Sequence, residues 1–417
     1  MKKSNTVKAN KKTLLLIIIA VLTIFISIKF NSKEDLEPTT IEDNSSIKIA
    51  YIEIWGNYSN TNKLFEEIIE PEVNQYAEEN NYNITFDFIV IKAENSGGAT
   101  HETIVELESV GIKYVIGSNC VACVAYSFIE EHDMILVSPF SQQNLFHIAD
   151  EHMFRVCPVD IHNARPIQKL TESLGIKKAV LLLWEGNIGD DLYEGFNTTW
   201  INKTILQEIR YDGGTTDFKF QLGILNETVH NAIENGTPQE ELGIIALSLG
   251  EIVRIFNQTE DYTTLRELSW IGYEGTTMLD KSKWIDSVEG LDQLGLYSPV
   301  HSVQDNEKWR NLQDRYVELI GDEPTTDIGY DYDAAWVFAL TLMEAGTTDR
   351  EMFALNIHKV ASGFNGATGI VLLDEYGDRK NASYDIWCYV DKDGETISNR
   401  VGFYNGETNE IIWTARS

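Results

Sequence analysis

The sequence predicts an α/β protein in which two lobes, each built on a parallel sheet flanked by helices, face one another. From Ile47 onward, short runs of β-branched residues alternate with longer amphipathic stretches, as expected for parallel strands joined by covering helices. The alternation breaks after Pro139 and restarts at Met153, so the 417-residue chain divides its strands between two units.

The composition indicates a folded protein with an acidic surface. The chain has 33 basic and 65 acidic residues, which gives a formal net charge of −32. Nucleic-acid binding needs clustered Lys and Arg, so we predict no nucleic-acid partner. Hydrophobic residues make up 43% of the chain, which is enough for a packed core, and the acidity therefore belongs to the surface.

The N-terminal residues have the pattern of a membrane anchor. Lysines precede an uncharged apolar run from Leu14 to Ile28, no A-x-A cleavage site follows it, and the first cysteine is Cys120. The predicted parts are a cytoplasmic basic tail (1–12), a transmembrane signal anchor (13–30) and a stalk (31–46). The domain then lies on the extracellular face of the cell membrane, with a cleaved signal as the alternative.

N-glycosylation sequons follow this anchor and fit a cell-surface glycoprotein, although an Asn- and Thr-rich chain also forms them by chance. The sequons begin at Asn44, Asn57, Asn83, Asn197, Asn202, Asn226, Asn235, Asn257 and Asn381.

The first unit is predicted to contain strands 47–54, 83–92, 113–117 and 134–139 with helices 61–80, 101–110 and 121–131. The second is predicted to contain strands 153–156, 179–184, 209–211, 242–248 and 268–273 with helices 161–174, 191–206, 219–235 and 251–258. After Gly295 we predict strand 296–303, helices 307–320 and 330–344, a helix ending at Val360, and tail strands 370–374, 383–390 and 411–414.

Several segments, in this order and spacing, resemble the type I periplasmic binding proteins of the leucine/isoleucine/valine-binding family, the receptors of branched-chain amino acid ABC transporters. The segments are Tyr114-Val-Ile-Gly-Ser-Asn-Cys120, Leu136-Val-Ser-Pro-Phe140, Phe154-Arg-Val-Cys-Pro-Val-Asp160, Leu174-Gly-Ile-Lys-Lys-Ala179, Trp270-Ile-Gly-Tyr-Glu-Gly275, Tyr332-Asp-Ala-Ala335, Phe364-Asn-Gly-Ala-Thr-Gly369, Asp374-Glu-Tyr-Gly-Asp378 and Asn381-Ala-Ser-Tyr-Asp385. The resemblance covers 47–389 and implies two lobes, joined by three crossovers, that close on a small ligand.

The resemblance also implies where the chain crosses between the lobes. The crossovers should fall near Cys157–Asp160, Leu296–Val300 and Arg379–Ala382. Lobe 1 would then hold residues 47–158 and 299–380, and lobe 2 would hold residues 159–298 and 381–417. The family further implies an ABC transporter permease as partner.

Candidate ligand-binding residues follow the strands, because open α/β sheets bind ligands beyond the carboxyl ends of their strands. The loop 117–120 opens a helix whose free N–H groups can receive a carboxylate. Glu274 matches the family's acidic residue that meets the ligand's ammonium group, with a solvated loop carboxylate as the alternative. The full candidate set is Trp55, Tyr58, Asn119, Cys120, Val121, Ser138, Phe140, Ser141, Gln142, Ile188, Ser248, Leu249 and Glu274.

The chain departs from the family at two of these positions. Val121 and Ala122 stand where relatives place a hydroxyl, and Ile188 stands where they place an aromatic ring. The ligand is therefore expected to be a small polar molecule, such as an amino acid, an amide or a peptide.

No enzyme signature stands out. Cys120 and Cys123 form a C-x-x-C pair that fits a local disulfide or two buried thiols better than catalysis, and no metal or cofactor motif accompanies it. We therefore expect a solute receptor without a cofactor and not an enzyme. The alternatives are a cell-surface sensory ectodomain, or a surface thiol oxidoreductase or hydrolase.

Overall fold

The computed structural model describes residues 41, 45–54, 56–94, 96–117, 119–144, 152–200, 203–248, 250–276, 290–303 and 305–414. The predicted tail and anchor, and most of the predicted stalk, lie outside these residues. Among the helices within them, none combines the length and the apolar character needed to cross a membrane.

The strands are β1 Ser45–Glu53, β2 Ile84–Lys92, β3 Tyr114–Gly117, β4 Ile135–Ser138, β5 Met153–Pro158, β6 Lys178–Trp184, β7 Thr204–Tyr211, β8 Leu242–Leu247, β9 Ser269–Ile271, β10 Leu296–His301, β11 Asn365–Gly366, β12 Gly369–Ile370, β13 Asp378–Arg379, β14 Tyr384–Lys392, β15 Glu395–Asn405 and β16 Glu410–Trp413.

The α-helices are α1 Tyr58–Leu64, α2 Glu70–Glu79, α3 Gly97–Ser109, α4 Asn119–Glu131, α5 Asp160–Ser173, α6 Asn187–Thr199, α7 Lys219–Glu234, α8 Glu251–Asn257, α9 Thr263–Arg266, α10 Glu307–Ile320, α11 Thr326–Ala345 and α12 Arg350–Gly363. A π-helical turn, Phe65–Ile69, joins α1 to α2.

Two large sheets form the two lobes. The first has the order β13-β5-β4-β3-β1-β2, and all of its strands are parallel. The second has the order β16-β15-β14-β10-β9-β8-β6-β7, in which the strands from β10 to β7 are parallel and β14 to β16 form an antiparallel extension. The predicted α/β two-lobed architecture with parallel sheets is therefore confirmed.

Helices cover the sheets because each strand face needs an apolar partner. The core on one face of the first sheet includes Phe338 and Leu342 of α11, and the core on the other face includes Ile104 of α3 and Val121 of α4. In the second sheet, α7 packs Leu222 and other apolar residues against one face, while α5 and α6 cover the opposite face.

The chain passes between the two sheets after β5, after β10 and after β13. The strand β10 stays in the second sheet through His301, so this crossover comes slightly later than the expected position near Leu296–Val300. Residues 299–301 therefore pair within the second sheet, although they were assigned to lobe 1. The other lobe boundaries stay a proposal.

Four local predictions were wrong. The strand at 153–156, predicted in the second unit, is β5 and pairs with β4 in the first sheet. The helix expected over 191–206 ends at Thr199, and β7 begins at Thr204, because Thr204–Tyr211 pairs along β6. The strand expected over 370–374 is limited to Gly369–Ile370. The strand β15 was missed because Glu395–Asn405 is polar and contains Gly402, so its strand character comes from pairing with β14 and β16.

A buried ion pair joins β13 to β5 at the centre of the crossover region. The guanidinium of Arg155 donates from Nη2 to Asp378 Oδ2 at 2.6 Å and also contacts Oδ1, and neither side chain is exposed. A further bond runs from Arg155 to the carbonyl of Ser141 at 3.3 Å. The pair therefore links the strand β13, which lies late in the chain, to the loop that follows β4.

We predict that Asp378→Asn lowers the free energy of unfolding of lobe 1 by about 3–5 kcal/mol, because it leaves the Arg155 charge buried without its partner. Asp305→Asn removes an exposed partner of Arg310 and should change stability by less than about 1 kcal/mol. Urea unfolding measures both variants. Equal losses for the two would show that the buried pair contributes no more than a surface pair.

Candidate functional site

The carboxyl ends of the two sheets meet at a polar contact between the lobes. Gln142 follows β4 of lobe 1, Glu274 begins a 3₁₀ turn after β9, and His301 ends β10. The Gln142 side chain donates from Nε2 to Glu274 Oε1 at 3.3 Å and lies 3.4 Å from both ring nitrogens of His301. Residues from both lobes therefore meet at this point between the lobes.

The pairing of β9 with β10 places Glu274 beside His301. These parallel strands run in register, and the Gly272 N–H donates to Tyr297 O at 2.7 Å. A Cβ at Gly272 would lie 2.1 Å from Thr276 Oγ1 and 2.5 Å from Ser298 Oγ, so only glycine fits where the chain turns out of β9. The tight turn aims Glu274 back along the end of β10.

Glu274 and His301 form an ion pair at the base of this contact. His301 Nδ1 lies 2.8 Å from Glu274 Oε2, and the Glu274 side chain remains 26% exposed. Burial alone would raise the pKa of the Glu274 carboxyl, but the charge of the His301 imidazolium and the hydrogen bonds from His301 and Gln142 lower it. Glu274 is therefore an ionised acceptor that water can reach.

A second carboxyl lies behind this pair. Asp160, at the start of α5, accepts hydrogen bonds from Tyr273 Oη at 2.7 Å and Asn163 Nδ2 at 3.2 Å. Its own backbone N–H donates to Gln142 O at 2.7 Å. Burial raises the pKa of the Asp160 carboxyl to about 7, and the neighbouring charge of Glu274 adds to this rise.

Further carboxyl groups from lobe 1 interact with the same region. Glu53, at the end of β1, accepts from Thr61 Oγ1 at 2.6 Å, and Asp331 of α11 accepts from Tyr51 Oη at 2.8 Å. Burial raises the pKa of the Asp327 carboxyl, and the charges of Glu274 and Glu53 raise it further. The charge of His301 acts in the opposite direction. The cleft is therefore acidic, and His301 when protonated lowers the pKa of Asp160, Glu274 and Asp327 alike.

The structure places several predicted site residues at strand ends. Ser138 is fully buried and its Oγ accepts from the Phe140 N–H at 3.3 Å, while the Phe140 ring packs 5.6 Å from Tyr330. Ser141 is also buried, and Ser248 is buried directly after β8. Among the predicted site residues, Gln142 and Glu274 are in contact across the lobes.

Other predicted residues lie elsewhere or cannot be placed. Tyr58 is 38% exposed and donates weakly to Val90 O at 3.5 Å. The Val121 side chain belongs to the core behind the first sheet, so only its backbone is available to a ligand. Trp55 and Leu249 lie outside the described residues, as do the side chains of Asn119, Cys120 and Ile188.

The sequence analysis did not select His301, Asp160 or Asp327. His301 lies two residues before the end of the predicted strand 296–303, so the rule that ligands meet strand ends was a signal that could have found it. Asp160 and Asp327 stand near helix starts, where acidic residues are common for reasons of helix stability alone, and no pattern distinguished them.

The C-x-x-C segment does not place two buried thiols together. Cys123 is exposed, and its thiol donates to Gln143 Oε1 at 3.5 Å. Burial raises the pKa of the Cys157 thiol to about 12, so at neutral pH this group is a protonated thiol and not a nucleophilic thiolate.

Two α/β lobes, joined by three crossovers around an acidic cleft, define the class of type I periplasmic ligand-binding proteins. The family model described as "Receptor family ligand binding region" matches residues 72–392. The chain belongs to this family. Proteins of this family and fold bind solutes and are not enzymes.

Solved structures share this fold, and one curated relative is similar in sequence. The leucine-binding protein LivK of Thermotoga maritima is 20% identical, with 87% of this chain and 99% of LivK covered and a TM-score of 0.58. An ABC transporter substrate-binding protein of Desulfitobacterium hafniense, solved with leucine, is 19% identical, with 85% and 100% covered and a TM-score of 0.60. An uncharacterized protein of Methanocaldococcus jannaschii is 24% identical, with 91% of this chain and 95% of the relative covered. The predicted resemblance to branched-chain amino acid receptors is confirmed.

We predict that Asp160→Asn stabilises the protein above pH 7 by up to about 4 kcal/mol, because the folded state no longer holds a buried carboxylate. The wild-type pKa is raised on folding, so the stability that Asp160 contributes is complete below pH 4 and is lost as the pH rises towards 7. The difference between variant and wild type should therefore vanish near pH 4.

Thermal unfolding between pH 4 and pH 8 measures this difference. Asp314→Asn, on the exposed face of α10, is the control and should follow the wild type at every pH. A constant gap between Asp160→Asn and the wild type would show that Asp160 does not titrate in the folded protein.

Proposed function

We propose that this protein is an extracytoplasmic receptor that binds a small, amine-bearing polar molecule between its lobes and releases it to an ABC transporter permease. The observation that carries this proposal is the contact of Gln142 with Glu274, because it brings a lobe 1 donor and a lobe 2 acid to one point. Closure on a ligand is favoured when both lobes gain contacts with it.

The proposed ligand class is an amino acid or another small molecule with a protonated amine. Glu274 is ionised, partly exposed and matches the position that meets an ammonium group in the leucine/isoleucine/valine-binding family. The proteins from Desulfitobacterium hafniense and Streptococcus pneumoniae that share this fold were solved with leucine and isoleucine respectively. A charge-assisted bond to Glu274 would supply much of the selectivity for an amine over a neutral isostere.

The anchor, the lobe boundaries and the glycans belong to the same proposal. The apolar residues 13–30 would hold the protein at the membrane as an uncleaved helix, and 31–46 would connect that helix to lobe 1. Lobe 1 would hold residues 47–158 and 299–380 except for the end of β10, and lobe 2 would hold the rest. Exposed sequon residues such as Asn83 and Asn235 would carry glycans.

A sensory ligand-binding ectodomain is the second candidate. The family description itself names a receptor ligand-binding region, so the same cleft would serve a signalling assembly equally well. Co-purification separates the two roles, because a transport receptor should be retained by a permease and a sensor by a signalling subunit.

We predict that Glu274→Gln weakens binding of L-leucine or L-isoleucine to the full-length chain by at least about tenfold, because the ammonium group loses a charged acceptor. Isothermal titration calorimetry at neutral pH measures the change. Glu240→Gln is a matched control, because Glu240 is exposed just before β8, at the sheet edge opposite the cleft.

The control variant should bind as the wild type does. The amine-free analogue 4-methylpentanoate should not distinguish Glu274→Gln from the wild type, because it offers no cation to Glu274. If L-leucine and L-isoleucine bind Glu274→Gln with unchanged affinity, Glu274 does not belong to the site.

A further inference from the structure

His301 is held rigidly at the base of the cleft. It is the last residue of β10 and pairs with Tyr384 of β14 in an antiparallel register. Its ring lies 5.0 Å from the ring of Tyr384 and 6.2 Å from that of Tyr330, and only 9% of the residue is exposed. Few rotamers are open to a side chain confined in this way.

In this conformation both oxygens of Glu274 already have nitrogen partners from the protein. Oε2 faces His301 Nδ1 at 2.8 Å, and Oε1 accepts from Gln142 Nε2 at 3.3 Å. An incoming amine needs the same oxygens. The His301 ring therefore occupies, within the protein, the position that a ligand cation would take on Glu274.

We propose that His301 is a specificity-determining residue that competes with the ligand's amino group for Glu274, so that capture of an amine requires displacement of the His301 contact. This inference rests on the proposed function, since it concerns the same acidic acceptor. It adds a residue that neither the family resemblance nor the sequence pattern assigned.

The groups that face His301 from each packed element are acidic or neutral. They are Glu274 after β9, Gln142 after β4, Asp160 of α5, Asp327 and Tyr330 of α11, and Tyr384 of β14. The surrounding carboxyl groups attract a cation and repel an anion, so a ligand cation is the partner that these surroundings favour for Glu274 when the His301 ring is absent.

The competition predicts what removal of the ring nitrogens should do. A side chain without a ring nitrogen leaves Glu274 Oε2 open to the amino group of a ligand. Affinity for an amine should therefore rise when His301 is replaced by phenylalanine.

The first arm of the test needs no ligand. Thermal unfolding of the full-length chain at neutral pH is compared for the wild type, His301→Phe, Glu274→Gln and the double variant. The sum of the two single shifts in Tm should exceed the shift of the double variant by about 2 °C or more. Additive shifts would overturn the inference, because the pair would then carry no coupling.

The second arm measures the Kd of L-leucine and of 3-methylbutan-1-amine at neutral pH. His301→Phe keeps a ring between Tyr330 and Tyr384 and should bind both at least about threefold more tightly than the wild type. His301→Gln should change both Kd values in the same direction.

A second His–Glu pair provides the matched control. His230 lies 3.1 Å from Glu234 on the exposed surface of α7, so His230→Gln removes a similar pair away from the cleft and should keep the wild-type Kd. An unchanged Kd in His301→Phe would overturn this inference alone. If neither probe binds the wild type or His301→Phe, the proposed function falls and takes this inference with it.

Discussion

Mutual repulsion among carboxylates gathered between the lobes is the constraint on which the site depends. The strand ends and helix starts of both lobes bring Glu53, Asp160, Glu274 and Asp327 into one electrostatic neighbourhood. Burial raises the pKa of Asp160 and Asp327, whereas the pKa of Glu274 is lowered, because His301 and Gln142 contact it directly. The cleft therefore contains one well-stabilised anion, Glu274, beside Asp160 and Asp327, two carboxyls that resist ionisation.

The fold supports this charge distribution with a rigid region beside the cleft. Arg155 and Asp378 are paired without solvent contact, and the Arg379 guanidinium donates to the carbonyls of Val156, Thr368 and Ile370. Near the same crossovers, His162 Nε2 lies 3.0 Å from Asp374 Oδ2 and Arg165 donates to Lys380 O at 3.0 Å. These contacts fix the segments near the crossovers against the neighbouring elements of the fold.

Periodicity predicted most elements because the apolar strands of a parallel sheet and the helices covering it have distinct repeats. Prediction from periodicity failed where strand pairing, and not composition, decides the structure. Examples are the polar strand β15 and the C-terminal end of α6, which comes earlier than expected. At the site, the resemblance gave Glu274 and the strand-end rule gave Gln142. The role of His301 depends on the alignment of β9 with β10 and on the approach of another lobe, neither of which a single sequence displays.

The packing around the cleft also bears on which ligands this acidic site can accept. The Val121 side chain lies in the core, so it offers no donor that a ligand carboxylate would seek. The Ser138 hydroxyl accepts a hydrogen bond from the Phe140 N–H and is fully buried. The Gln142 amide is a donor at the lobe interface, and it lies against Glu274. A negative group entering here meets like charges, whereas a positive group meets an ionised acid, Glu274. The cleft therefore favours a cationic group on the ligand. A ligand carboxylate can bind only where backbone N–H groups or Gln142 can turn towards it.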